Sequence, residues 1–461
     1  MTIAGSPSEQ SGSEVLKKTN QRAFRGSILH FFNDPQNKTE TENSHLWEYI
    51  EDGCLVIENG LIHAVGHAAD IMGQLPTTCP VIDHRGDLIV PGFVDPHIHF
   101  PQLDTIASPG TDLIDWLNRY AFPTEAAFQD KTHATAVAEF FIEELIRNGT
   151  TSALVFGTVH RTSIESFFAV AQRKKMRMVG GKVLMDRHCP RELQDTPESG
   201  YADSQALIHE WHGRDRLQYA ITPRFAITSS DEQLALTGKL AQENPRLIIH
   251  THLAENHEEI NWVRQLFPRH RSYLDVYDQY GLVNQQSVFA HCIYLDDADL
   301  KRMQSSGATA IFCPTSNLFL GSGLFDIKKA DEAQMPFGVA TDVGGGTSFN
   351  LLRTLSEAYK VNKLQGQFLS PLRAFYLMTL GGARALHLDS NIGNFMPGKE
   401  ADFVVLSRTA TPLMERKLSQ NRSKDGLPTL TEQLFTFVML GDDRAIKQTY
   451  IMGEAAKVRS A

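Results

Sequence analysis

Apolar and polar positions fall into three textures along the 461-residue chain. From Phe24 to about Leu88, short runs with period-two alternation dominate. One is Phe24–His30. Another, Gly53–Gly60 followed by Leu61–Val65, has Asn59-Gly60 as a hairpin turn. After Leu88 the texture becomes strand-then-helix, with apolar strand candidates at 88–98, 151–159, 177–186, 217–226, 246–254, 287–294, 308–314 and 336–342. Most intervals carry helix-period runs, such as Ala136–Ile146 and Asp231–Glu243. From Phe395 the β texture returns, in Phe403–Leu406 and in a hairpin-like stretch Gln448–Val458. The alternation predicts an α/β fold, a (β/α)8 TIM barrel with a small β-sandwich domain built from both termini. The expected divisions are a disordered segment 1–20, sandwich strands in 21–88, the barrel in 89–394 and returning sandwich strands in 395–461. An open doubly wound sheet is the competing arrangement, but no GxGxxG follows a strand to support it.

Composition narrows the function classes. The formal net charge is −10 and no long basic run occurs, which argues against nucleic acid or an anionic membrane as the main partner. Five cysteines, Cys54, Cys79, Cys189, Cys292 and Cys313, are scattered without CxxC spacing, as in a reducing compartment. Met1–Asn20 is polar and lacks the apolar core of a signal peptide, and no stretch reaches the roughly 18 apolar residues of a membrane span. The chain is therefore expected to be cytoplasmic.

The candidate chemistry lies at strand ends, where a parallel barrel places its active site. His97 and His99 end the first barrel strand, two residues apart and thus on one face, a spacing suited to a borderline-soft cation such as zinc. The fifth strand ends in His250-Thr-His252-Leu-Ala-Glu255. His252 is the better ligand candidate, His250 is expected to fill a barrel layer, and Glu255 is placed to carry protons without binding the metal. His291 ends the sixth strand as a donor or base beside a water, and the adjacent Cys292 reads as a small buried hydrophobe. Asp342 ends the eighth, where a buried carboxylate needs a metal or a histidine. The fourth strand ends Thr222-Pro-Arg224-Phe225, without a lysine or glutamate to bridge two metals. The expected inner shell is mononuclear: His97, His99, His252 and Asp342, with a water made nucleophilic by its lowered pKa. Arg224 offers a fork for a carbonyl or carboxylate oxygen, Phe225 a flat wall, and Gln102 a carboxamide matched to an amide-like ring edge. Together they describe a pocket for a flat, polar, uncharged heterocycle. Asp104, Asp112 and Asp115 read as surface charges, and Trp116 as helix core rather than pocket.

These residues closely resemble the amidohydrolase superfamily and, within it, the guanine deaminase family. The general marks are Pro91-Gly-Phe-Val-Asp95-x-His97-x-His99, His252-x-x-Glu255, His291, Thr341-Asp342 and Gly398-Lys-Glu-Ala-Asp402. Narrower ones are His99-Phe-Pro-Gln102, the Trp116–Glu125 run, Thr222-Pro-Arg-Phe225 and Cys313-Pro-Thr-Ser-Asn317. The resemblance spans about Phe24 to Val458. It implies hydrolytic deamination of guanine to xanthine and ammonia on one zinc per chain, held by His97, His99, His252 and Asp342. It further implies that Glu255 moves protons, that His291 and Asp342 orient and deprotonate the water, that Gln102 and Arg224 read the oxo edge, and that Phe225 stacks on the ring. His252 and Glu255 then also border the substrate, and the chain is expected to form a homodimer. Pro96 departs from the small polar residue that relatives often carry, at a position where its missing N–H must not be needed. The alternatives are a deaminase of another aminated heterocycle (8-oxoguanine, a pterin or an s-triazine) and a non-catalytic scaffold on the same fold.

Overall fold

A computed structural model of the chain describes residues 21–37, 44–420 and 429–456. The segment expected to be disordered, 1–20, lies outside the described residues. Four strands come first: β1 (Gln21–Phe31), β2 (Trp47–Glu58), β3 (Leu61–His67) and β4 (Val81–Pro91). The barrel strands follow: β5 (Phe93–His99), β6 (Thr150–Phe156), β7 (Arg177–Gly181), the two-residue β8 (Val183–Leu184), β9 (Leu217–Pro223), β10 (Ile248–Leu253), β11 (Ser287–His291), β12 (Thr309–Phe312) and β13 (Phe337–Val339). Three more close the chain: β14 (Phe403–Leu406), β15 (Ile446–Ile451) and β16 (Glu454–Ala455).

The strands of both termini form one seven-stranded sheet in the order β16-β15-β14-β4-β1-β2-β3. Ile57 and Ile62 near one edge share an apolar cluster with Phe24, Phe403 and Tyr450 toward the other. Backbone bonds from Ile62 to Lys399 and from Ala401 to Gly60 bring the edge strand against the segment entering β14, so the sheet curls over its own core. The two β-rich ends thus come together as expected, in one separate, mostly antiparallel sheet rather than two facing ones.

The second sheet is parallel and runs β13-β12-β11-β10-β9-β7-β6-β5. Asp342 N–H donates to His97 C=O at 3.0 Å and His99 N–H to Val343 C=O at 2.7 Å, joining its two ends into a barrel. Val94, Leu154, Val179, Ala220, Ile248, Val288, Ile311 and Ala340 meet in one interior cluster, the packed layer that fills a barrel of this size. Helices cover the outside. Lys131–Arg147 starts on the Asp130 side chain, which caps Thr132 and His133, and buries Ala134, Val137, Ala138, Phe141, Ile142 and Leu145 at helical spacing. Among the described residues no helix is long and apolar enough to cross a membrane.

Two strand expectations need correction. The run 88–98 is two strands, since residues up to Pro91 pair in the terminal sheet and only Phe93–His99 belongs to the barrel. The break is Gly92, where an added Cβ would sit 2.1 Å from Thr151 Oγ1. An unbroken apolar run hides such a corner, because both segments are buried. The third candidate, 177–186, is likewise split, with β7 ending at Gly181 and β8 pairing separately with β9.

Candidate active site

A register shift aims the first histidine pair. Asp95 pairs with Ala153 and Ile98 with Val155, so three steps on β5 match two on β6. Up to Val94 the even positions face the interior. Past the bulge at Pro96 the parity reverses: Ile98 packs in the outer core, while His97 and His99 turn inward with Phe156. Proline fits there because a bulged residue need not donate to the ladder. Asp95 accepts from Thr341 N at 3.1 Å and from the Thr341 hydroxyl, pinning the first strand end to the eighth.

On β10 the period-two register carries His250 and His252 inward above Ile248. His250 Nε2 lies 2.7 Å from His97 Nδ1, so it orients His97 besides filling a layer. His252 Nδ1 contacts Arg224 C=O at 2.7 Å. A carbonyl only accepts, so the His252 proton sits on Nδ1 and its Nε2 presents a lone pair. That lone pair faces His99 Nε2 at 3.2 Å. His97 Nε2 has no hydrogen-bond partner and lies 3.1 Å from Asp342 Oδ1. Burial holds His99 and His252 well below the usual imidazole range, reinforced by neighbouring positive charge. With these rings held neutral, the Nε2 lone pair of His252 stays available to a cation. His97, His99 and His252 form one group with ligand atoms within 4.8 Å of one another, and His97, His291 and Asp342 form a second. Imidazole and carboxylate donors of this kind suit zinc and other borderline divalent ions.

Glu255 and His291 stand beside this cluster, with Glu255 Oε2 3.3 Å from His291 Nε2. Burial pushes the Glu255 carboxyl well above its usual range, assisted by the charges of Glu259 and Asp342. Burial also lowers His291, to about 4. By strand parity His291, next to inward Ala290, would face outward. Its left-handed backbone, φ 72°, turns the ring toward Glu255 and Asp342, and such non-glycine conformations concentrate at functional sites. Asp342 itself has φ 51°.

Above these groups opens a cleft with Leu113, Trp116, Leu117 and Phe225 as apolar walls and Gln102, Arg224 and Glu255 among its polar lining. Glu125 links the recognition residues: it accepts from Gln102 Nε2 at 2.8 Å and holds Arg224 Nη1 through both carboxylate oxygens, at 2.9 and 2.8 Å. Gln102 Oε1 accepts from Gly344 N at 3.3 Å. That approach requires glycine, since a Cβ on Gly344 would stand 2.4 Å from Gln102 O. Both ends of the carboxamide are thus assigned, and the Arg224 charge is neutralised inside the pocket.

The geometry brings together His97, His99, His252, Asp342, Glu255, His291, Gln102, Arg224 and Phe225. Trp116, expected as helix core, is a pocket wall, and its indole N–H donates to Ser108 C=O at 3.1 Å. It is both buried and pocket-lining, which helical periodicity does not separate. Glu125 and Phe156 escaped the strand-end reading. Glu125 lies on the short helix Phe122–Ala126 in the connection after β5, far in sequence from Arg224, and Phe156, which stacks on His99 at 4.6 Å, looks like any apolar strand end. A signal for Glu125 was present, since a buried Arg224 requires a carboxylate somewhere.

Comparison with known proteins agrees with this geometry. Residues 88–456 match the amidohydrolase family model. A guanine deaminase of Escherichia coli (strain K12) is 49% identical over 450 residues, covering 98% of this chain and all of the relative. The solved structure of an E. coli guanine deaminase superposes with a TM-score of 0.89 at 48% identity, over 95% of this chain and 100% of that one. A C. acetobutylicum guanine deaminase, solved with guanine bound in its active site, superposes with a TM-score of 0.84 at 28% identity, again over 95% and 100%.

Proposed function

The chain belongs to the amidohydrolase family, and from that membership and the architecture of its cavity we infer that it deaminates guanine hydrolytically, taking up water and releasing xanthine and ammonia. The observation that carries this reading is the Gln102–Glu125–Arg224 constellation facing the histidine–aspartate cluster across an apolar cleft. A fixed amide and a neutralised guanidinium complement the oxo and N–H edge of an uncharged purine, and Phe225 offers its face to the ring.

His97, His99, His252 and Asp342 would hold one zinc ion, whose contribution when bound is Lewis-acid activation of a water. The remaining work belongs to the chain. Arg224 and Gln102 hold the ring by its oxo edge, so that the amino-bearing carbon faces the water. Glu255, kept dry and with a raised affinity for protons, accepts one proton as the water attacks and passes it to the ring nitrogen, and the remaining proton of the added hydroxyl then goes to the departing amine. His291 and Asp342 hold the water in line. The scaffold alternative finds no support in a site whose ligand, proton-carrying and recognition groups all converge. Five free cysteines favour a cytoplasmic setting, and family likeness a homodimer, which light scattering tests.

Comparing kcat/KM for guanine, 8-oxoguanine, a pterin and an s-triazine amine tests the substrate. Guanine should lead by orders of magnitude, because buried polar groups left unpaired by a wrong ring are penalised strongly. Preference for another ring would overturn the substrate assignment.

A further inference from the structure

The Cys313–Asn317 motif supplies none of the ligands or recognition groups assigned above, yet the segment it opens encloses the proton-handling pair. After β12 the chain forms the short helix Pro314–Phe319 and a turn through Gly321-Ser322-Gly323. Asn317, 1% exposed, places its Nδ2 3.0 Å from His291 Nδ1. Ser322, 3% exposed, donates its hydroxyl to Glu255 Oε1 at 2.7 Å. Ser322 N–H donates to Asn317 C=O at 2.9 Å, so the two contacts are braced against each other. Thr315 Oγ1 donates to Thr341 C=O at 3.1 Å, and Tyr294 Oη to Ser322 C=O at 2.7 Å. The segment is thereby anchored to the eighth strand end and to the loop after β11.

We propose that Ser322 and Asn317 are positioning residues for proton transfer, acting through Glu255 and His291 respectively. Resting on the functional reading above, this inference extends it to a stretch of chain that reading leaves without a role. The two Glu255 oxygens are thereby given different tasks. Oε1 is tied by the Ser322 hydroxyl, and Oε2 is left facing His291 Nε2 at 3.3 Å and the cavity. A carboxylate in a dry pocket with one oxygen tethered cannot swing away from the reacting atoms, and the entropy of aligning it is removed before substrate arrives. On the other side, the Asn317 amide donates to Nδ1, which leaves the neutral ring's proton on Nε2, directed at Glu255. Neither residue lies among those assigned to substrate recognition, so their loss should register in kcat and leave KM unchanged.

Steady-state kinetics on guanine, with melting temperature and bound zinc measured alongside, tests this in Ser322→Ala, Ser322→Thr and Asn317→Leu. Ser322→Ala should lose about 10- to 100-fold in kcat, the worth of a hydrogen bond to a buried charged group, at unchanged KM and zinc content. Ser322→Thr, which restores the hydroxyl, should recover most of the loss. Asn317→Leu should also show a kcat-selective fall, and it carries the test alone if Ser322→Ala does not fold. Wild-type kcat in Ser322→Ala or in Asn317→Leu overturns the proposal, as does a loss confined to KM. Wild-type protein inert toward guanine would instead overturn the functional reading, a result distinguishable from both.

Discussion

At Glu255 the buried environment and the assigned chemistry make opposite demands. Burial raises its affinity for a proton, while Ser322 and the neighbouring His291 steady the ionised form. A group balanced this way can take a proton and return it within one turnover. Glu255→Gln keeps shape and removes the titrating oxygen, so kcat should fall at least 10²- to 10⁴-fold, the usual range for general acid–base catalysis, while metal analysis still finds the wild-type zinc content. Glu125 makes a separate prediction. It neutralises Arg224 where neither side chain reaches water. Glu125→Gln should therefore lower stability by about 3–5 kcal/mol, the cost of stranding one partner of a buried pair. It should also reduce kcat/KM for guanine, because Arg224 and Gln102 lose their common anchor. Denaturant titration would show the first effect as a lower midpoint at unchanged slope.

At the scale of elements, barrel and terminal sheet are joined by ion pairs. Arg177 at the start of β7 and Arg216 just before β9 both grip Glu400, and Arg216 also pairs with Asp402. Burial pushes the Glu400 carboxyl up, but its hydrogen bonds and charges from the two arginines outweigh that and hold it below its ordinary range. A carboxyl with a depressed folded pKa adds stability above its unfolded pKa, about 4.3. That stability is lost as the pH falls through the lower folded value. The melting-temperature gap between wild type and Glu400→Gln should thus be widest near neutrality and shrink on acidification below about pH 4. A gap independent of pH would mean that the pair is not what holds the interface.

Much of this organisation was legible in the chain. Period-two runs at both ends and eight strand–helix units led to the right architecture, and the strand-end rule selected His97, His99, His252, Glu255, His291 and Asp342 for one location. What stayed hidden depends on contacts between distant residues. The Gly92 corner is invisible because both flanking strands are buried. The bulge at Pro96 reverses parity, so His97 and His99 face inward for a reason that simple alternation from Val94 would have contradicted. Trp116 lines the pocket, and Glu125 reaches Arg224, only because the connection after β5 folds back over the barrel mouth.

For the whole molecule, the convergence of the His97, His99, His252 and Asp342 donor atoms on one place implies that metal binding and folding are coupled. Removing zinc with a chelator should lower the melting temperature. Restoring it at 100 times its dissociation constant should return about 2.7 kcal/mol. An unchanged melting curve, with metal loss verified, would argue that these residues are stable without an ion.

The most direct test of the account is conversion of guanine by purified protein carrying about one zinc per chain, the loading a mononuclear site requires. Equimolar xanthine and ammonia should form, with activity lost on chelation and recovered on adding zinc. Zinc-loaded, folded protein that leaves guanine untouched would contradict it.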